Sequence, residues 1–145
     1  MRIDRQQALA HPVARVFAVM SDPANRPLWQ EMTSGVEILT PGPVGLGTRW
    51  RETTRGIGTV SNEVVGFEPD ALWEEAGSAG GGEGRVRVTF RAAGETTHLG
   101  ISVEFHLKGF RRVMEKALES VIARQMPADL RRLEEILGRD GRPGT

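Results

Sequence analysis

The stretch that decides the fold is HLGISVEFHL at 98–107, followed after Lys108 and Gly109 by FRRVMEKALESVIARQMPADLRRLEEIL at 110–137. In the first part Leu99, Ile101, Val103, Phe105 and Leu107 alternate with His98, Gly100, Ser102, Glu104 and His106. A period of two marks a strand buried on one face. In the second part Phe110, Val113, Met114, Ala117, Leu118, Val121 and Ile122 recur at spacings of three and four, and Met126, Leu130, Leu133, Ile136 and Leu137 continue the series. That period predicts an amphipathic helix. Its phase survives Pro127, which removes one amide donor and crowds the Ala123 carbonyl, so the prediction is one long helix kinked there. At 1.5 Å per residue it would run about 40 Å, a length that must lie across the face of a sheet. Gly138 is the expected C-cap and residues 139–145 an expected disordered tail.

Working back from this stretch, the middle of the chain reads as strands. Val86, Val88 and Phe90 alternate with Arg85, Arg87, Thr89 and Arg91. Segments 35–40, 48–54, 58–67 and 71–76 are β-rich and separated by Pro41-Gly42-Pro43, Arg55-Gly56 and Glu68-Pro69-Asp70. Gly77 to Gly84 reads as a flexible loop, and Ala93-Gly94-Glu95 as a turn. Residues 3–10 form a first candidate strand. Pro12 then opens a short helix carrying Val13, Val16, Phe17 and Met20, and Asp22 with Pro23 caps a second. Strand, two short helices, six strands and a long helix make an α+β order, with successive strands forming an antiparallel meander.

Composition bounds the chemistry. The chain has 145 residues, 39% hydrophobic, 19 basic against 19 acidic, with no cysteine and no tyrosine. That suits one domain, with a core that needs no disulfide. Thiol catalysis, Cys-ligated zinc and phenol acid/base chemistry are excluded. Balanced charge argues against nucleic acid as a partner. No run approaches the apolar length of a membrane span, and Met1-Arg2-Ile3-Asp4-Arg5 is charged where a signal peptide would be apolar, so the expected compartment is the cytoplasm with no integral membrane association.

Among possible sites, Gly80-Gly81-Gly82-Glu83-Gly84 lacks the Lys-Ser/Thr of a phosphate loop, and Gly45-Leu46-Gly47 lacks the third glycine of a dinucleotide fingerprint. His98 and His106 share a strand face, about 26 Å apart, and point away from the apolar face, so no metal is expected. No serine elbow is present. The carboxylates say more. Trp50-Arg51-Glu52 and Trp73-Glu74-Glu75 repeat a Trp-x-Glu pattern, and period two puts each pair on one strand face. If the indoles face inward, Glu52 and Glu75 come with them, as candidates for general acid/base work; otherwise they sit hydrated at the rim. Glu63 has an ambiguous face. Arg5 and Gln7 share the face of Ile3 and Leu9, as a polar wall or as a partner for a buried carboxylate. Arg111 and Glu115 are spaced as a helix-surface ion pair.

Several motifs in order resemble one family. They are Pro12-Val13-Ala14-Arg15-Val16-Phe17, Ser21-Asp22-Pro23 with Trp29, Pro43-Val44-Gly45-Leu46-Gly47-Thr48, Val65-Gly66-Phe67-Glu68-Pro69, Gly94-Glu95-Thr96-Thr97 and the helix end Leu130-Arg131-Arg132-Leu133-Glu134. Together they resemble the START-like, birch-pollen-allergen-like superfamily (SRPBCC), in its polyketide cyclase/dehydrase branch, over residues 1–138. The resemblance implies a helix-grip fold, a curved antiparallel sheet of about seven strands around the long kinked C-terminal helix. It also implies a cavity between them for a hydrophobic, lipid- or polyketide-like small molecule. The family has no shared catalytic motif, so none is carried over.

On that basis the expected ligand-binding residues are Trp50, Phe67, Trp73, Phe90, Val103, Phe105, Met114 and Leu118. No cofactor is expected. Two other readings stand beside binding. One is a cofactor-independent cyclase or dehydratase using Glu52 or Glu75. The other is a chaperone-regulator-like interaction protein, for which the sequence offers neither a basic patch nor a partner motif. Nothing in the sequence fixes an oligomeric state.

Overall fold

The structure, a computed structural model, describes residues 1–140. The chain order is β1 (Arg2–Leu9), α1 (Val13–Met20), a 3-10 turn (Pro23–Asn25), α2 (Arg26–Trp29), β2 (Thr33–Ile38), β3 (Arg49–Thr54), β4 (Gly58–Glu68), β5 (Leu72–Ala79), β6 (Gly82–Ala93) and β7 (Thr96–Leu107). A second 3-10 segment (Gly109–Met114) then leads into α3 (Glu115–Asp140). Seven strands form one antiparallel sheet in the order β1-β7-β6-β5-β4-β3-β2. The sheet is curved around α3 in a helix-grip arrangement.

The local rules explain most of the framework. Asp22 accepts a hydrogen bond from the Ala24 amide at 3.1 Å, with Pro23 in the first position where its missing N–H costs nothing. Thr97 is fully buried, and its hydroxyl donates to the His11 carbonyl at 2.7 Å, tying the start of β7 to the β1–α1 corner. Phe17 of α1 meets Phe90 and Phe67 edge to face, with ring centroids 5.0 and 5.5 Å away. Such pairs add about 0.5–1.5 kcal/mol beyond the area they bury.

Two expectations change. Residues 77–84 are not a flexible loop. β5 continues to Ala79, β6 begins at Gly82, and Gly80-Gly81 is the two-residue turn between them. The glycines serve close packing as well as the turn. A Cβ on Gly82 would collide with the His106 carbonyl oxygen on β7, and one on Gly77 would meet the Asn62 side chain. The second change concerns the long helix. It runs through Pro127 as expected but starts at Glu115, not at Phe110. Residues 109–114 wind as 3-10 helix, at three residues per turn, so the helical phase drawn from Phe110 does not apply there. Glu115 does not pair with Arg111. Its carboxylate accepts the Leu107 amide at 2.9 Å. At the other end α3 continues past Gly138 to Asp140, so Gly138 is not its C-cap; residues 141–145 of the expected tail lie outside the described residues.

α3 is held unevenly. Leu130, Leu133, Ile136 and Leu137 are buried against the core. Arg15 of α1 donates to the Leu137 carbonyl at 3.1 Å, and Arg132 pairs with Glu31 at 2.8 Å. In the N-terminal half Leu118, Ile122 and Met126 are only half-buried and Val121 is exposed. The helix is anchored at its C-terminal end and stands off the sheet toward its start.

Candidate functional site

Under that raised half lies a cavity of about 220 Å³. The sheet supplies Trp73 and Glu75 from β5, Val86, Val88 and Phe90 from β6, and Ile101 and Val103 from β7. Period two explains the set, since every second residue of these strands faces α3. α1 and α2 contribute Met20, Arg26 and Trp29, and the chain after α2 adds Gln30 and Met32. α3 closes the space with Ile122, Gln125, Met126, Asp129 and Leu130. The wall is mostly apolar, with Arg26, Glu75, Gln30, Gln125 and Asp129 as its polar members.

At one side of the cavity is a buried charged cluster. Both Trp-x-Glu pairs face inward, and Trp50, Trp73, Glu52 and Glu75 are all more than nine-tenths buried. Each indole N–H donates to the glutamate two residues on: Trp50 Nε1 to Glu52 Oε1 at 3.1 Å and Trp73 Nε1 to Glu75 Oε1 at 2.7 Å. Arg26 of α2 then serves both carboxyl groups. Its Nη1 donates to Glu52 Oε1 at 3.2 Å and to Glu75 Oε2 at 2.9 Å, and its Nη2 donates to Glu75 Oε1. The Thr33 hydroxyl donates to Glu52 Oε2 at 3.0 Å. The guanidinium carbon also lies 5.3 Å from the Trp50 ring centroid. Burial works against the Arg26 charge, but the Glu75 carboxylate and then the Glu52 carboxylate outweigh it and hold its pKa above the ordinary arginine value.

The cluster has a clear mechanical role. α2 spans four residues, far too few to be stable by itself. Arg26 and Trp29 lie three apart on one face of it and both are buried, so the ion pairs and the indole pin α2 to the sheet. Among the described residues, Arg26 Nε and Trp29 Nε1 find no acceptor.

The sequence-predicted residues divide as follows. Trp73, Phe90 and Val103 line the cavity. Trp50 is buried outside the wall, its ring centroid 6.0 Å from that of Trp73. Phe67 packs on Trp73 and Phe17, and Phe105 is buried outside the wall. Met114 is 57% exposed, a correction that follows from the 3-10 winding of 109–114, and Leu118 is half-buried outside the wall. Of the two glutamates, Glu75 lines the cavity and Glu52 does not. Glu63 pairs with Arg49 on the neighbouring strand at 2.9 Å. Arg5 donates to Gln7 at 2.9 Å; the role of partner to a buried carboxylate belongs to Arg26. Arg26 was missed, although two inward glutamates require a cation and Arg26 shares a helix face with an indole.

Asp129 offers a direct test of the wall. It is half-buried and accepts the Glu31 amide at 3.1 Å. Burial pushes its carboxyl pKa above the ordinary aspartate value, against the lowering effects of that amide and of Arg132. A raised acid pKa means that the folded state binds the proton more readily, so this group weakens the fold as pH rises through its folded pKa. Asp129→Asn is therefore expected to raise the denaturation midpoint modestly at neutral pH. The gain should shrink toward zero below about pH 4, where the aspartate is protonated in both states. Paired urea titrations at neutral and acid pH measure it.

Residues 1–138 match the polyketide cyclase/dehydrase and lipid transport family, and the chain belongs to it. No significant match is found among curated proteins. Solved structures share the fold at low identity. The aromatase/cyclase ZhuI from Streptomyces sp. R1128 is 19% identical, with a TM-score of 0.74 over 99% of this chain and 96% of that one. A START superfamily protein from Mycobacterium smegmatis is 13% identical, with a TM-score of 0.77 over 95% and 97%. Ara h 8.0201 is 16% identical, with a TM-score of 0.73 over 94% and 97%. No helix among the described residues is long and apolar enough to cross a membrane.

Proposed function

We propose that residues 1–138 act as one domain that binds a small hydrophobic molecule between the sheet and α3. The cavity carries this reading: about 220 Å³, walled mainly by Val86, Val88, Phe90, Ile101, Val103, Ile122 and Met126. An apolar cavity of about 150 Å³ is enough to take benzene, so this one fits a compact ligand of one or two rings or a short branched chain. The unpaired donors on Arg26 and Trp29 favour a ligand with one oxygen acceptor, reached by a small side-chain shift. The balanced charge argues against nucleic acid as the partner, and the cysteine-free sequence agrees with a cytoplasmic location.

A second reading is an enzyme of the cyclase or dehydratase type. Its support is Glu75, a carboxyl group inside the cavity wall. Two of its contacts, Arg26 and Trp73, already engage both oxygens, which favours a positioning role over proton transfer. Native mass spectrometry of the purified protein separates the two. Binding predicts a co-purified small molecule that is recovered unchanged after incubation. Recovery of a converted product, with conversion lost and binding kept in Glu75→Gln, would favour the enzyme.

A further inference from the structure

The 3-10 segment before α3 exposes side chains that an aqueous surface does not favour. Phe110 is 82% exposed, Val113 87% and Met114 57%. In a 3-10 helix residues three apart lie one above the other, so Phe110 and Val113 share one outward face. None of the three belongs to the core cluster. The register of the sheet brings the β3–β4 turn to the same end, because Thr54 pairs with Gly58, Ser61 with Ser78, and Gly82 with both Ala79 and Leu107. That turn carries the exposed Ile57 beside Arg55.

The charges around this apolar face have one dominant sign. Lys108, Arg111, Arg112 and Lys116 flank it along the chain, and all four are exposed. The acid within that stretch, Glu115, is occupied by the Leu107 amide and lies 4.0 Å from the N-terminal amine. Arg111 holds its guanidinium 5.5 Å from the Phe110 ring, so cation and apolar surface are presented together. The opposing charges nearby are the exposed Glu83 of β6, opposite His106, and the half-buried Glu119 one turn into α3. The whole chain balances 19 basic with 19 acidic residues, so the local excess is not a reflection of composition. The periodicity of the sequence put Phe110, Val113 and Met114 on a buried helix face, which hid this patch.

We propose that this end of the molecule docks on a lipid surface bearing anionic headgroups. Large apolar side chains ringed by lysine and arginine are the chemistry that an anionic bilayer interface accepts: the side chains enter the headgroup layer and the cations meet the phosphates. A second copy of the chain fits less well. A two-fold interface would set the same four basic residues against each other. The patch leads into the raised half of α3, so a docked molecule turns the helix that roofs the cavity toward the bilayer. The proposal does not depend on which ligand the cavity takes, or on whether it takes one.

Co-sedimentation tests it, using vesicles of phosphatidylcholine alone and vesicles with about one third phosphatidylserine. The expected result is binding at least about tenfold stronger to the anionic vesicles, weakened by high salt. Arg111→Glu with Arg112→Glu should abolish it, and Phe110→Ser with Val113→Ser should weaken it severalfold, while both pairs keep the wild-type melting temperature because these residues are exposed. Three results would overturn the proposal: no binding to either vesicle, equal binding by the charge-reversed protein, or a dimer in solution that the same substitutions dissociate.

Discussion

Arg26→Met is expected to lower the free energy of unfolding by about 3–5 kcal/mol. The substitution keeps much of the side-chain volume but leaves Glu52 and Glu75 buried beside two indoles with no cation. Uncompensated charge in a poorly solvated place costs more than the ion pair itself contributes. Arg26→Lys should fall between the two, because an ammonium cannot reproduce the two-pronged contact with Glu75. The informative variant is the triple substitution Arg26→Met, Glu52→Gln and Glu75→Gln. The amide oxygens still accept from the Trp50 and Trp73 N–H groups, and no charge remains. It should recover a good part of the loss. Urea denaturation of the three proteins gives the comparison; a triple variant no more stable than Arg26→Met would show that the cluster is not held by charge pairing. Because its pKa is raised further above an already high ordinary value, Arg26 stays charged in both states at neutral pH.

Val103→Trp is the second large effect, and it falls on binding. Val103 lies in the cavity wall on β7, between strands that are well paired on both sides. An indole at this position projects into the void under α3. The void absorbs most of the added volume, so the expected stability cost is about 1 kcal/mol or less, at the low end for overpacking. A ligand that uses this space should lose more than about tenfold in affinity. Binding of an uncharged two-ring fluorescent probe such as 6-propionyl-2-dimethylaminonaphthalene, followed by its emission, reports the change. Undiminished probe binding by a folded Val103→Trp protein would place the site elsewhere.

The sheet was legible because its signals are local and repeat. Leu99 to Leu107 and Val86 to Phe90 alternate cleanly, and that alternation is what a half-buried strand requires. The pairing of Trp50 with Glu52, and of Trp73 with Glu75, followed from period two alone, and the structure turns both pairs inward. Whether those glutamates would be hydrated at a rim or enclosed depended on a residue from another element. Arg26 sits 26 positions before Glu52 and 49 before Glu75, on a four-residue helix with no periodicity of its own. Contacts at such separations leave no local pattern. The start of α3 misled for a different reason. Phe110 and Val113 fit both a 3.6-residue and a three-residue winding over so short a span, and the apolar spacing alone does not separate the two. The glycines of 77–84 misled by type: the same residue that loosens a loop also lets strands approach closely, and here β6 and β7 need it at Gly82.

The central claim is that the space between the sheet and α3 is a binding site for a compact apolar molecule. The most direct test is a titration of the methyl-labelled protein with naphthalene, followed by carbon–proton NMR. The prediction is saturable shifts of the methyl groups of Val86, Val88, Ile101, Val103, Ile122, Met126 and Leu130, the aliphatic wall of the cavity, with those shifts absent in Val103→Trp. Shifts confined to exposed methyls such as those of Val113 and Met114, or no saturable shifts at all, would contradict it.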